Sequence, residues 1–382
     1  MKIKNISNNP DLLYIAMINI DDDTDGVKKK VFMQCDALSE YYISISIACY
    51  KKNEPGIYNF NTKEFMPFKR LSKLIPRRLV YLRGLRKHLL KTNYGTSYIR
   101  YSYFDLSFYR VITLLSKKKT RLFLEIPSFP IKYPEIRLKT LIRYPIFLQD
   151  FLFRKKAIRK FDKILSIGAP QKKIYGVTTI NIPNGIDRKP VDYHNNSYNF
   201  KDLRILCLAN MYYHQGYDRL IEGLSNYYNE NEDSIVQVFI DFVGDGPLLQ
   251  HYVNLTKKRN LEKFIVFHGK QTNEKINKIT SNVNLACGPL GLHRLGFDYA
   301  SPLKTKEYML KGIPFIYSYV EISLDENFPY VLKLPADESP ISISKVISFY
   351  QNIQKDYPLY SDILHKYAIE KFSWVNILSV LK

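Results

Sequence analysis

The apolar run Val283-Asn284-Leu285-Ala286 enters a glycine-punctuated loop that begins Cys287-Gly288-Pro289-Leu290-Gly291. A helical stretch opens after Ala300-Ser301-Pro302 and closes at Gly312, before a second apolar run, Pro314-Phe315-Ile316. Strand, loop, helix and strand in that order make one β-loop-α-β unit, with its polar residues at the carboxyl end of a strand. Such units belong to open parallel sheets, where ligands bind at the strands' carboxyl ends.

A helix amino terminus presents unpaired N–H groups and the positive end of a dipole, which suits an anion such as a diphosphate. Ser301 is placed to cap the helix and Pro302 suits its first turn. Arg294, Lys304 and Lys306 add cations beside Glu307, whose carboxylate can accept hydrogen bonds from ribose hydroxyls. The residue types in this loop therefore predict a nucleotide diphosphate site.

The string Glu307-Tyr308-Met309-Leu310-Lys311-Gly312-Ile313-Pro314 resembles the Glu-Ala-Met-Ala-x-Gly-x-Pro signature of retaining glycosyltransferases of the GT-B fold, glycosyltransferase family 4 in particular. Gly291-Leu292-His293-Arg294 with Ala300-Ser301-Pro302-Leu303-Lys304 is similar to a bacterial branch that makes surface polysaccharides. Three further pieces agree in order and spacing: Ile182 to Asp187, His214 to Ile221 and Val243 to Leu248. The resemblance implies two Rossmann-like, doubly wound parallel-sheet domains facing across a cleft. It also implies transfer of a sugar, with retention, from a nucleotide diphosphate-sugar to a lipid-linked or glycan acceptor in bacterial cell-surface polysaccharide synthesis.

By the same resemblance, the donor would be held by Gly26, Asn210, Gly244, His293, Arg294, Ser301, Pro302, Leu303, Lys304 and Glu307. UDP is expected ahead of GDP, no further cofactor is required, and no divalent cation is expected, the acidic run Asp21 to Asp25 being read as a solvated turn. Two positions depart from the family pattern. Tyr299 stands where the first of two glutamates is usual, and Asn210 to Gln215 lack the usual basic pair. Arg294 and Lys304 are the candidates to take over the diphosphate charge. Asp298 or Glu125 is the candidate carboxylate near the sugar, which makes Glu125, Asp298 and Arg294 the catalytic set. For Glu125, pairing with Arg100 or Arg121 is the structural alternative.

Along the chain, Leu13–Ile20 reads as a buried strand followed by a polar turn and a helix through Val31, Phe32, Cys35 and Leu38. Gly26 either lets the backbone approach a phosphate or acceptor, or is a turn glycine. Further strands are expected near 42–49, 97–101, 121–126, 163–167 and 178–183. The second set is expected near 203–208, 236–243, 264–267, 283–286 and 314–316, alternating with helices. The expected division is 1–187 for the acceptor domain, 188–201 for a linker, 202–360 for the nucleotide-sugar domain, and 361–382 for a helix crossing back to the first domain.

The chain of 382 residues carries a net charge of +21, and its distribution is uneven. Residues 1–190 hold 37 Lys and Arg against 15 Asp and Glu, so the whole excess lies there. Lys69 to Lys91 contains nine cations and no acid, and Arg137 to Lys160 contains eight with Asp150 alone, interleaved with leucine and phenylalanine. Basic amphipathic segments adsorb to anionic membranes, and Arg77, Arg78, Arg83 and Arg86 are the expected contacts. No segment approaches a membrane span and the amino terminus lacks a signal-peptide core, which predicts a cytoplasmic enzyme at the inner face of the plasma membrane. Four scattered cysteines predict buried thiols rather than disulfides or zinc. A pI near 9.5 raises nucleic-acid binding as a rival class. No nucleic-acid-binding motif accompanies it, so no nucleic-acid partner is expected. A GT-B nucleotide-sugar epimerase is the other alternative.

Overall fold

The computed structural model describes residues 11–22, 25–69, 75–131, 144–187, 202–230, 236–325 and 327–382. The expected linker at 188–201 and part of each basic segment lie outside them. The chain divides into two compact units, 1–183 with 374–382, and 184–373.

In the first unit, β1 (Asp11–Asn19), α1 (Gly26–Leu38), β2 (Ser44–Lys51), β3 (Glu54–Asn59) and β4 (Phe65–Pro67) precede α2 (Arg77–Lys91). Then follow β5 (Thr96–Arg100), α3 (Leu106–Lys117), β6 (Arg121–Phe129), α4 (Tyr144–Ile158), β7 (Lys163–Gly168), β8 (Lys173–Ile174) and β9 (Val177–Asn181). They form one nine-stranded sheet in the order β4-β3-β2-β1-β5-β6-β7-β9-β8. Its centre is parallel, as expected, but β3 and β4 extend one edge as an antiparallel meander, and β8 pairs antiparallel with β9.

The continuous apolar character of β1 follows from burial on both faces. Leu13 and Ile15 meet α2, α3 and α4, whereas Leu12, Tyr14 and Ala16 meet α1 and the returning carboxyl-terminal segment. That segment is α11 (Trp374–Leu378) with one 3-10 turn after it, and Trp374, Ile377, Leu378 and Leu381 are buried in the first unit.

The second unit contains β10 (Asp202–Leu208), α5 (Tyr217–Glu230), β11 (Gln237–Val243), α6 (Leu249–Lys258), β12 (Ile265–Gly269), α7 (Asn273–Thr280) and β13 (Leu285–Cys287). After these come α8 (Leu303–Leu310), β14 (Phe315–Tyr317), β15 (Val331–Lys333), α9 (Ile343–Asp356) and α10 (Tyr360–Phe372). The sheet is wholly parallel, in the order β12-β11-β10-β13-β14-β15. Helix α10, expected to cross back, instead packs on α8 within the second unit. The crossing segment therefore begins at Trp374 rather than at 361, because Tyr360, Leu364, Ala368 and Phe372 already belong to the second core.

Basic helix α2 is an amphipathic element whose Val80, Tyr81, Leu82, Leu85 and Leu89 are buried. Arg77, Arg83 and Arg86 face solvent. Arg78 does not: its guanidinium donates to Asp105 at 2.6 Å, to Ser102 at 3.3 Å and to the Tyr103 carbonyl. It is a structural cation at the amino end of α3, which corrects its placement among the membrane contacts.

Trp374 is the chain's one tryptophan and reports on the first unit. Leu378→Ala, which empties a fully buried position beside it, is expected to cost about 2–5 kcal/mol. Urea unfolding followed by tryptophan fluorescence should show a lowered midpoint; an unchanged midpoint would mean that the carboxyl-terminal segment contributes nothing to this core.

Candidate functional site

The strand order of the second unit reverses between β10 and β13, so the loops after those strands flank a topological switch point. They are joined backbone to backbone. The Leu290 N–H donates to the Gln215 carbonyl at 2.8 Å and the Gly291 N–H to that of His214 at 3.2 Å. Gly216 has φ +64°, and a Cβ there would lie 2.7 Å from the Gly291 nitrogen. The turn after β11 closes on the first of these loops in the same way. The Met211 N–H reaches the Asp245 carbonyl at 2.8 Å, and a Cβ on Gly246 would lie 2.6 Å from the Met211 nitrogen. Gly244, φ +129°, abuts the Ala209 carbonyl. The glycine turn at 244–246 is thus explained by close approach of two loops, with Asn210 exposed between them.

The loop after β13 is also fastened to β14 and to the segment that follows it. Gly288 donates to the Ile316 carbonyl at 2.8 Å and Val320 to that of Asp298 at 2.7 Å. Helix α8 then starts beside this crown. Its N-cap is Pro302, φ −61° and ψ 141°, and no side chain caps the first turn. Ser301, the expected cap, is buried one residue earlier, where its hydroxyl accepts from the Asn184 N–H at 3.2 Å. Its carbonyl accepts from the Asn184 side-chain amide at 2.6 Å. The role expected of Ser301 is corrected accordingly: it ties Asn184 to the loop and leaves the N–H groups at Leu303 and Lys304 without a side-chain cap.

Of the three cations expected to face a diphosphate, the structure turns two elsewhere. Lys306 is fully buried on an ion pair with Glu321, its ammonium 5.3 Å from the Phe372 ring centroid, and burial lowers its pKa. Arg294 lies on a 3-10 turn, Leu292–Leu295, with its side chain 3% exposed. Its guanidinium donates to both carboxylate oxygens of Asp218, at 2.9 and 2.6 Å, and to both of Glu338, at 2.9 and 2.6 Å. A fifth N–H reaches the Tyr213 carbonyl at 3.0 Å.

Arginine has five such donors, and all are used. Burial opposes the arginine charge, but bonds to Glu338 and Asp218 outweigh it and raise the pKa further; in return, Glu338 is held down to about 2, chiefly by Arg294. Arg294 is therefore a brace across the loops rather than an open phosphate ligand.

His293 joins the brace through Nε2, 2.8 Å from Glu338. Lys304 keeps an outward position, 3.2 Å from Glu307 across one helical turn, and the Glu307 side chain is partly exposed. Asp298 is exposed, and the neighbouring Tyr299 bridges to Val320. Asp218 and Glu338 escaped the sequence reading. Asp218 sits inside the quoted 214–221 string, whereas nothing marks Glu338, which is 44 residues from its partner.

In the first unit, Glu125 is fully buried rather than presented on a loop. Its carboxylate accepts from Gln34 at 2.6 Å and Tyr98 at 2.8 Å, and pairs with Lys30 at 3.0 Å and with Arg100. Burial alone would raise its pKa, but Lys30 and Arg100, with the Gln34 bond, bring it down to about 2. Lys30, which shares that one anion with Arg100, is held down to about 8 by burial. Pairing with Arg100 is the alternative that the geometry favours, so Glu125 is corrected from catalytic candidate to the centre of a buried charge cluster. Gly26 is the first residue of α1, behind the cap that Asp25 makes to Val27 at 2.8 Å, and a Cβ there would meet nothing within 4 Å.

Two consequences can be measured. Arg294→Ala should lower stability by about 2 kcal/mol, since two carboxylates lose their shared partner, and a thermal melt unchanged from wild type would contradict the bracing role. Glu125→Gln strips Lys30 and the partly buried Arg100 of their shared carboxylate, at a cost of about 3–5 kcal/mol near neutral pH. Because the folded-state pKa is depressed, the wild-type advantage is complete above about 4.5 and disappears as pH falls toward about 2. Urea titrations across that window should show the gap between the two proteins closing; a constant gap would be the contrary result.

No protein-family profile matches the chain, and no curated protein does. Solved structures do. Sucrose-phosphate synthase from Thermosynechococcus elongatus is similar over 97% of this chain and 96% of its own, with TM-score 0.63 and 16% identity. The lipopolysaccharide outer core galactosyltransferase WaaB, in its apo form, is similar over 97% and 98%, with TM-score 0.60 and 14% identity. The catalytic domain of starch synthase IV from Arabidopsis thaliana, bound to ADP and acarbose, is similar over 97% of both chains, with TM-score 0.58 and 12% identity. At these identities the likeness establishes the fold, and the fold of this chain is GT-B.

Proposed function

We propose that this chain is a retaining glycosyltransferase that moves a sugar from a nucleotide diphosphate donor, UDP ahead of GDP, to a lipid-linked or glycan acceptor. The reading places the enzyme at the inner face of a bacterial plasma membrane, in cell-surface polysaccharide synthesis. The observation that carries it is the uncapped amino terminus of α8 at the switch point of a GT-B second unit, with Lys304 and Glu307 in its first two turns. The diphosphate would take the free N–H groups and Lys304, and Glu307 would take the ribose hydroxyls.

In transfer, the bond from the anomeric carbon to the diphosphate oxygen breaks, and negative charge grows on that oxygen as the sugar gains oxocarbenium character. Fixed N–H dipoles at α8 stabilise this charge without reorganising. The acceptor hydroxyl attacks from the same face and gives its proton to the departing phosphate. Asp298 remains the candidate carboxylate near the sugar. Charge relief by the helix and Lys304 makes a divalent cation unnecessary, so transfer is expected to persist in EDTA.

Isothermal titration with UDP, GDP and ADP tests the site. Glu307→Ala is expected to weaken the preferred nucleotide about tenfold or more, the loss of a charge-assisted hydrogen bond, with an unchanged melting temperature. Equal binding by both proteins would remove Glu307 from the site. A product formed from a nucleotide-sugar without acceptor would instead favour the epimerase.

A further inference from the structure

Helices α2, α3 and α4 cover one face of the first unit's sheet, and their outer surface differs from an ordinary solvated layer. On α2 the exposed charges are Arg77, Arg83, Arg86, Lys87 and Lys91. Arg110 and Lys117 add to them on α3, and Lys155 and Lys156 on α4. The acids of the layer face inward. Asp105 caps α3 and holds Arg78. Asp150, the one acid within α4, is fully buried, where it accepts from the Tyr101 hydroxyl at 2.8 Å and the Phe104 N–H at 2.6 Å and pairs with Arg154. No carboxylate within the three helices faces solvent.

Two arginines, Arg77 and Arg78, even occupy the amino-terminal turn of α2, where the helix dipole disfavours cations; that turn holds no acid, and Asp105 pairs with Arg78 from outside the helix.

Apolar exposure is concentrated on α4 in the same layer. Leu148, Phe151 and Leu152 are 51, 73 and 56% exposed. Their spacing of three and four residues aligns them in one stripe, and Lys155 and Lys156 continue it by one turn. The opposite side of the helix, with Phe147, Asp150, Arg154, Ala157 and Ile158, is buried. A single exposed leucine is ordinary, but three adjoining large apolar side chains beside unopposed cations mark a contact surface.

We infer that α4 is an interfacial anchor: Leu148, Phe151 and Leu152 enter the acyl region of an anionic bilayer leaflet while Lys155, Lys156 and the cations of α2 and α3 meet its phosphates. This combination of an apolar stripe with cations is what a lipid interface selects. A free phosphate would leave the stripe without a partner. A second copy of the chain would bring two wholly basic layers together. The inference concerns the first unit alone and does not depend on the donor site.

Flotation of the full chain with phosphatidylcholine vesicles, with and without phosphatidylglycerol, tests it. The wild type should float with the anionic vesicles only. Phe151→Asp should lower the partition coefficient at least about tenfold, from lost apolar burial. The pair Lys155→Gln and Lys156→Gln should lower it about fivefold per charge, an effect that added salt erases, whereas the Phe151 effect survives salt. Phe151→Trp should show blue-shifted emission on vesicle addition.

Nucleotide binding and thermal melts of all variants should match wild type, which separates this result from any failure of the donor site. Absence of flotation, flotation indifferent to Phe151→Asp, or an unmoved Phe151→Trp spectrum would overturn the inference. So would sedimentation showing a wild-type dimer that Phe151→Asp converts to monomer without vesicle binding.

Discussion

The candidate site depends on loops that approach at backbone distance. Loops after β10, β11 and β13 meet where Gly216, Gly244 and Gly246 have positive φ and where a single added carbon would collide with a neighbouring main chain. Interiors are close-packed and do not yield to such an intrusion without moving. A side chain at Gly216 would therefore displace the loop that leads to α8, and one at Gly244 or Gly246 the loop after β10, even though none of these glycines has a side chain to offer a ligand. Their apparent signature character is a requirement of architecture first.

Charge inside the two units follows a similar logic. Glu125 with Lys30 and Arg100, Lys306 with Glu321, and Arg294 with Asp218 and Glu338 are each nearly complete hydrogen-bonding assemblies. Removing one partner from such a group is costly because the remaining ion stays in a poorly solvated place. These residue types resemble active-site machinery in a linear reading, yet satisfied donors and acceptors are the mark of bracing. At the second unit's crown the first turn of α8 has no side-chain cap, and Lys304 faces outward, paired with a partly exposed Glu307.

Much of the fold was legible, for physical reasons that differ by element. The strand expected at 203–208 is β10 and the helix expected between it and the next strand is α5, because continuous apolar runs and three-to-four-residue periodicity report burial directly. Strand β3 was missed since Pro55 and Gly56 argue against a strand; in the structure Gly56 is accommodated by the Phe65 ring lying over it. Lys306 could have been read as inward, as it shares a helical face with buried Met309 and Leu310. The inward turn of Arg294 could not, because Asp218 and Glu338 lie 76 and 44 residues away. Nor could the order of exposed and buried positions on α4, where Pro145 and mixed aromatic residues blurred the period.

The return of Trp374, Ile377, Leu378 and Leu381 to the first unit has a bearing on biosynthesis. A ribosome emits residues 11–181 early, but the side chains that finish that unit's interior emerge only after the whole of the second unit has been translated. The earlier-made half must wait as an incomplete body, with the groove for α11 open, while the later-made half already holds every residue of its own core. For this polypeptide, the order of synthesis and the order of completion run in opposite directions.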